Sequence, residues 1–179
     1  EIYILGNPPY LGSKRQSLSQ KSDMAIVFSG IEGYKNLDYI ACWFYKAALI
    51  LKPLKGKAAF VSTNSICQGE QVGLLWPLML KNDIEINFCH TSFKWENQAK
   101  NNAAVYCVIV GIARASNVLK LHISDGFERK VENINPYLIP TKKNIILPKR
   151  RTPLSKVPTM NRGSSPVDGG FLLLTPEEK

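Results

Sequence analysis

Apolar and polar positions along this chain recur with two different periods, and the switches between them lay out its elements. Residues 2–5, Ile-Tyr-Ile-Leu, are apolar or aromatic throughout, the pattern of a strand buried on both faces of a parallel sheet, and Gly6 ends it. Residues 11–35 are polar and rich in Ser, Gly and Lys. A stretch that long reads as a mobile functional loop, anchored by its apolar insert Met24-Ala25-Ile26-Val27-Phe28. Ile40, Phe44, Ala47 and Leu51 then recur at helical spacing across residues 37–52, and Pro53 supplies the stop. Residues 57–62 predict another buried strand, and residues 70–81 a second helix bent at Pro77.

Two further strands are expected at 84–88 and 104–112. The connection between them holds Phe93-Lys94-Trp95-Glu96-Asn97-Gln98 with no helical period, which suits an antiparallel pair. Residues 118–123 alternate apolar and polar positions as a short, half-exposed strand does, and the α/β pattern ends there. From Asn135 onward seven prolines, Pro136 to Pro176, punctuate a segment with little periodicity. A boundary near Pro140 divides the chain into residues 1–139 and 140–179.

Composition narrows the class. With 179 residues and 45% hydrophobic content the chain can bury a core of domain size, which excludes a disordered segment. Lys and Arg outnumber Asp and Glu 23 to 14, so a net charge of +9 sits on the surface and favours a polyanion, with nucleic acid ahead of an anionic membrane. Much of that charge is local. Between residues 141 and 162 lie Lys142, Lys143, Lys149, Arg150, Arg151, Lys156 and Arg162 with no acidic residue, a run suited to DNA phosphates, or else a solvated face. The longest apolar run, residues 39–51, is interrupted by Lys46 and falls short of a membrane span, so a soluble chain is expected. Cys42, Cys67, Cys89 and Cys107 are widely separated among apolar residues, as buried free thiols in a reducing cytosol would be. The opening at Glu1, without an initiator Met, suggests a piece of something longer.

The sharpest chemical signal is Asn7-Pro8-Pro9-Tyr10, delivered by an apolar strand at its carboxyl end, where open α/β sheets bind ligands. An exocyclic amine on a base is a poor nucleophile because its lone pair is delocalised into the ring. The Asn7 side-chain oxygen and the Pro8 carbonyl can both accept hydrogen bonds from such an amine, drawing it toward tetrahedral geometry for attack on a methyl sulfonium. The prolines stiffen the loop and add no competing N–H donors, and Tyr10 offers a ring face to a base taken out of the duplex. A bare Asn-Pro-Pro would read as a stiff turn; the strand before it and the Tyr after it favour a methyl-transfer site.

Asn7-Pro8-Pro9-Tyr10 resembles the catalytic motif of amino-group DNA methyltransferases. Phe60-Val61-Ser62-Thr63-Asn64, residues 93–102, Asn135-Pro136-Tyr137-Leu138 and residues 166–174 resemble the methyltransferase region of type IIG single-chain restriction-modification enzymes, running on into target recognition. The resemblance implies the C-terminal half of a Rossmann-like class I methyltransferase with a mixed sheet, seven-stranded in the whole fold. It also implies S-adenosylmethionine as donor, adenine N6 of a flipped base as acceptor, double-stranded DNA as partner, and a bacterial or archaeal cytoplasm. The family's Gly-rich cofactor loop and ribose-holding acidic residue precede the motif. Only residues 1–6 precede it here, so the segment is expected to need the rest of a parent chain for cofactor binding and turnover.

A second aromatic faces the first across the flipped base in this family. Phe93 is the first candidate and Trp95 the second, unless both merely cap the sheet. His90 and His122 give no metal-ligand pair and read as surface or strand-end residues, while Asp38 reads as a helix-capping carboxylate. Two other readings remain. The motif suits a protein glutamine methyltransferase equally well, although the basic, proline-rich extension does not, and the segment could be a noncatalytic DNA-binding piece.

Overall fold

Ile2–Gly6 forms β1, which pairs in parallel with β2, Gly56–Thr63, from Ile2 against Gly56 to Gly6 against Phe60. The structure, a computed structural model, describes residues 1–95, 105–147, 152 and 155–157. The chain divides into two compact units, Glu1–Lys149 and Arg150–Lys179. The second is described only at residue 152 and at 155–157, where Val157 N–H bonds the Ser155 carbonyl at 2.8 Å.

In the first unit the helices are α1 (Leu18–Val27), α2 (Ala41–Leu51) and α3 (Gly69–Lys81), and the remaining strands are β3 (Ile84–Trp95), β4 (Val105–Arg114), β5 (Lys120–Ser124) and β6 (Phe127–Val131). The sheet order is β1-β2-β4-β3-β5-β6. Pairs β1/β2 and β3/β5 are parallel, and β2/β4, β3/β4 and β5/β6 are antiparallel. Six strands are thus found among the described residues. The mixed sheet and the antiparallel β3/β4 pair meet expectation.

The core lies between one face of the sheet and α2 and α3. Phe44, fully buried on α2, sits edge-on to Phe60 of β2 at 5.1 Å and tilted to Trp76 of α3 at 6.3 Å. Trp76 donates its ring N–H to the Ile66 carbonyl at 2.9 Å, so its one polar atom is satisfied in the core. The helical spacing in the sequence is met: Ile40, Phe44, Ala47 and Leu51 are all buried. Gly56 permits the close approach of β1 and β2, since a Cβ there would run into the Ile2 carbonyl.

Several sequence expectations are corrected. Residues 11–35 contain α1, started by a capping box in which Ser17 Oγ accepts from Gln20 N–H and Gln20 Oε1 accepts from Ser17 N–H. The apolar insert does anchor it, through buried Met24 and Phe28. β1 is not buried on both faces: Tyr3 is 61% and Leu5 77% exposed, and the two share one open face, while Ile4 on the other packs against the core. Phe93, Lys94 and Trp95 belong to β3, which carries register shifts between Ile86 and Phe88 and between His90 and Phe93. The pattern also continues past residue 123: Asp125 and Gly126, both at positive φ (51° and 78°), turn β5 into β6. His122 is buried rather than at the surface, its Nε2 in a 3.0 Å hydrogen bond with the Leu138 carbonyl.

Candidate active site

The motif begins where β1 ends. β1 and β2 run parallel, β4 runs against β2, and β3 runs against β4, so one end of the sheet collects four segments. These are the loop after Gly6, the end of β2 at Thr63, the start of β4 near Cys107, and the end of β3 at Phe93 to Trp95. A single register row joins them: Thr63 opposes Cys107, and Cys107 opposes Phe93. Thr63 is three residues from core-facing Phe60, and strand side chains alternate, so this row points away from α2 and α3.

Within the loop, Asn7 is exposed, Pro8 buried, Pro9 exposed and Tyr10 half-buried. Among the described residues the Asn7 side chain makes no hydrogen bond. Tyr10 lies beside the Cys107 thiol; burial, and then Cys107, raise its pKa above the usual 10.0, so the phenol is neutral at physiological pH. Cys107 itself is fully buried. Phe93, half-buried, lies edge-on to His90 at 4.9 Å and tilted to Trp95 at 6.1 Å. Trp95 opposes Val105 one row further out and is 39% exposed. Tyr10 and Phe93 therefore both adjoin Cys107, one from the motif loop and one by strand register, whereas Trp95 stands beyond them. The thiol is not visible as a partner in the sequence, since nothing local marks it.

Leu11, the residue after the motif, is held through both of the peptide groups that flank it. Its N–H donates to Asp38 Oδ1 at 2.8 Å, and its carbonyl accepts from Gln16 Nε2 at 3.0 Å and from Tyr39 N–H at 3.1 Å. Asp38 Oδ1 also accepts from Ile40 N–H at 3.3 Å, in the turn that leads into α2; Ile40, not Asp38, is the N-cap of that helix, and no side chain caps it.

The other cysteines are inert by environment. Burial pushes the Cys42 thiol up to about 11 and the Cys89 thiol to about 12, and raises Cys67 well above 9.0, so none is a thiolate near neutral pH. All four are free and buried, as expected. No cluster of metal-ligating side chains and no helix long and apolar enough to cross a membrane occur among the described residues.

Lys142 and Lys143 are exposed in a turn closed by Thr141 Oγ1 on the Lys143 carbonyl at 2.9 Å. Among the described residues no hydrogen bond joins them to the motif. Lys149, Arg150 and Arg151 lie outside the described residues.

Comparison with known proteins follows the same outline. The family model of the MmeI DNA-methyltransferase domain matches residues 1–123. DNA methyltransferase A of Bacillus subtilis (strain 168) is 48% identical over 176 residues, covering 98% of this chain and 20% of that protein. The solved structure of the type IIL restriction-modification enzyme MmeI in complex with DNA matches with a TM-score of 0.90 and 43% identity, over 98% of this chain and 24% of that one. The chain thus spans about a fifth to a quarter of the length of these relatives.

Proposed function

This chain belongs to the family of the MmeI DNA-methyltransferase domain, and from that premise we propose that it is the catalytic part of an adenine-N6 DNA methyltransferase within a longer restriction-modification enzyme. The observation that carries the reading is the convergence of Asn7-Pro8-Pro9-Tyr10 with Phe93 at the carboxyl end of the sheet, around Cys107. The Asn7 amide oxygen and the Pro8 carbonyl accept from the adenine amino group and turn its lone pair outward for attack. Asn7 suits this task because its side chain is exposed and not engaged by a described neighbour. Tyr10 stacks on one face of the extruded base, with Phe93 across from it, and neither role needs a charge.

S-adenosylmethionine, when bound, supplies an electrophilic methyl group on sulfonium. The residues described here fit the acceptor side of that reaction, with oxygen acceptors and neutral ring faces. The nucleoside of the cofactor we assign to the rest of the parent enzyme. Exposed Ile2, Tyr3 and Leu5 support a segment of that parent lying against β1. Residues 1–139 then form the catalytic part, and residues 140–179, with Lys142, Lys143, Lys149, Arg150 and Arg151, carry DNA phosphate contacts and open the target-recognition region. The DNA bound by the solved relative supports DNA as the substrate.

The test is transfer of a labelled methyl group by the full-length parent to unmodified genomic DNA and to a glutamine-containing peptide, followed by nucleoside analysis. Label in N6-methyladenine on DNA alone is the expected result. Label on the peptide, or on cytosine, overturns the reading.

A further inference from the structure

The loop that carries the motif is four residues long between two fixed points. Gly6 is held in the β1/β2 ladder opposite Phe60, and Leu11 is held through both its peptide N–H and its carbonyl. Two of the intervening residues are prolines with fixed φ, so the position of Leu11 largely sets where Asn7 and Tyr10 stand. The groups holding Leu11 are buried polar side chains: Asp38 is 6% exposed and Gln16 is 7% exposed. Gln16 Nε2 donates to the carbonyls of Leu11 and Leu37, both at 3.0 Å, and thereby ties the motif exit to the approach to α2. Asp38 is braced in turn, its own N–H donating to Gln71 Oε1 at 2.9 Å, while Gln71 Nε2 donates to the Asn36 carbonyl at 2.7 Å. The chain therefore spends two buried polar side chains, from different segments, on the two peptide groups that flank one residue beside the reactive ones.

We propose that Asp38 and Gln16 are positioning residues that set the catalytic geometry of Asn7 and Tyr10 by clamping the Leu11 peptide. This rests on the methyltransferase reading of the same loop. Neither side chain touches the substrate, so their loss acts on turnover rather than on binding. The chemistry of each is specific. Asp38 acts only as an oxygen acceptor here, so an amide of the same shape can replace it. Gln16 acts as a donor to two carbonyls, so a carboxylate in its place repels both.

The test uses the full-length parent and reads kcat, KM for DNA and for S-adenosylmethionine, the thermal midpoint, and hydrogen exchange at the Leu11 amide. Asp38→Ala is expected to lower kcat by about tenfold to a hundredfold, the scale of a displacement of about an ångström in a reacting group, with both KM values near wild type. Asp38→Asn recovers most of that loss and keeps the Leu11 amide protected, whereas Gln16→Glu is at least as impaired as Gln16→Ala. Val72→Ala, a buried truncation on α3, calibrates how much turnover a lowered midpoint alone removes. The proposal is overturned if Asp38→Ala turns over within twofold of wild type. It is equally overturned if Asp38→Asn is as impaired as Asp38→Ala, or if the loss is no larger than in a Val72→Ala enzyme of equal midpoint. A wild-type parent that transfers no methyl group would sink the methyltransferase reading instead. Exchange then decides the clamp alone: Leu11 protection lost in Asp38→Ala and kept in Asp38→Asn supports it, and unchanged protection overturns it.

Discussion

On the face of the sheet covered by α2 and α3, Phe44 lies edge-on to Phe60 and tilted to Trp76, and the only polar atom among the three rings is bonded to the Ile66 carbonyl. At the carboxyl end of β1 and β3, Tyr10 and Phe93 are half-buried beside the buried Cys107, with Trp95 exposed one row further out. Both sets are built from aromatics, the first from α2, α3 and β2 and the second from the loop after β1 and from β3. The first set is closed on itself, so its rings have nothing left to bind. The second is fixed at its base and open at its rim, which is what a pocket for a flat ligand requires. Residue type does not separate the two sets; place does, the interior under α2 and α3 for one and the end of the sheet for the other.

If the comparison holds, the two sets fail differently when cut. Phe44→Ala should produce the largest effect, a destabilisation of about 3–5 kcal/mol from the transfer and cavity terms together. It should lower the unfolding midpoint while leaving kcat near normal at temperatures well below it. Lost turnover with an unchanged midpoint would place Phe44 in the site and erase the distinction. Asn7→Ala should do the reverse. Removing a preorganised polar group costs about 10²–10³-fold in kcat or more, and Asn7 is exposed and holds no described neighbour, so midpoint and DNA affinity should stay near wild type. Near-normal methyl transfer by this variant would end its assignment.

Tyr10 sharpens the contrast because it belongs partly to each set, beside buried Cys107 and with its ring at the rim. Stacking is worth about 1–3 kcal/mol per base, so Tyr10→Ala should lose roughly tenfold to a hundredfold in turnover while Tyr10→Phe keeps most of it. Part of the Ala defect should be recovered when the target adenine faces a mismatch, since less pairing is broken on extrusion. Asn7→Ala should gain nothing from the mismatch. Equal Tyr10→Ala defects on paired and mismatched duplexes would remove the stacking role, and a large loss in Tyr10→Phe would shift the argument to the hydroxyl.

How much of this could be read from the chain follows the range of each interaction. α2 was legible because Ile40, Phe44, Ala47 and Leu51 mark its buried face within four turns or fewer. α1 was not, although Ser17 and Gln20 spell a capping box, because Met24 is its only buried residue and the polar surroundings hide the period. The Asp125-Gly126 turn into β6 was an available signal left unread. β1 misled for a different reason: its apolar run describes a strand covered on both faces, and among the described residues the Ile4 face meets the core while Tyr3 and Leu5 stay exposed. The motif itself was plain in four adjacent residues. Its clamp was not, since Leu11 and Asp38 are 27 positions apart and only the fold brings them together. Nor was the meeting of Tyr10 with Cys107, which depends on β4 returning antiparallel between β2 and β3.

The smallest effect is expected where the comparison leaves the sheet for the charged surface. Lys142 and Lys143 are exposed and follow the bridge between Ile134 and Pro140, while Lys57, also exposed, is the second residue of β2, at the end of the sheet away from the motif. Three lysines of equal charge and similar exposure thus differ in place. A lysine on a phosphate releases a counterion, so each lost contact should flatten the slope of log K against log salt by about 0.9 on duplex DNA. Replacing both Lys142 and Lys143 with Gln should therefore flatten it by about 1.8 and weaken binding alike at all sequences, because phosphate contacts position DNA without reading it. Lys57→Gln should leave the slope as it was. Anisotropy titrations of the full-length parent across a salt series measure this directly. A slope unchanged in the double variant would return Lys142 and Lys143 to bulk solvent, and an equal flattening in Lys57→Gln would show that net charge, rather than position on the surface, governs DNA binding.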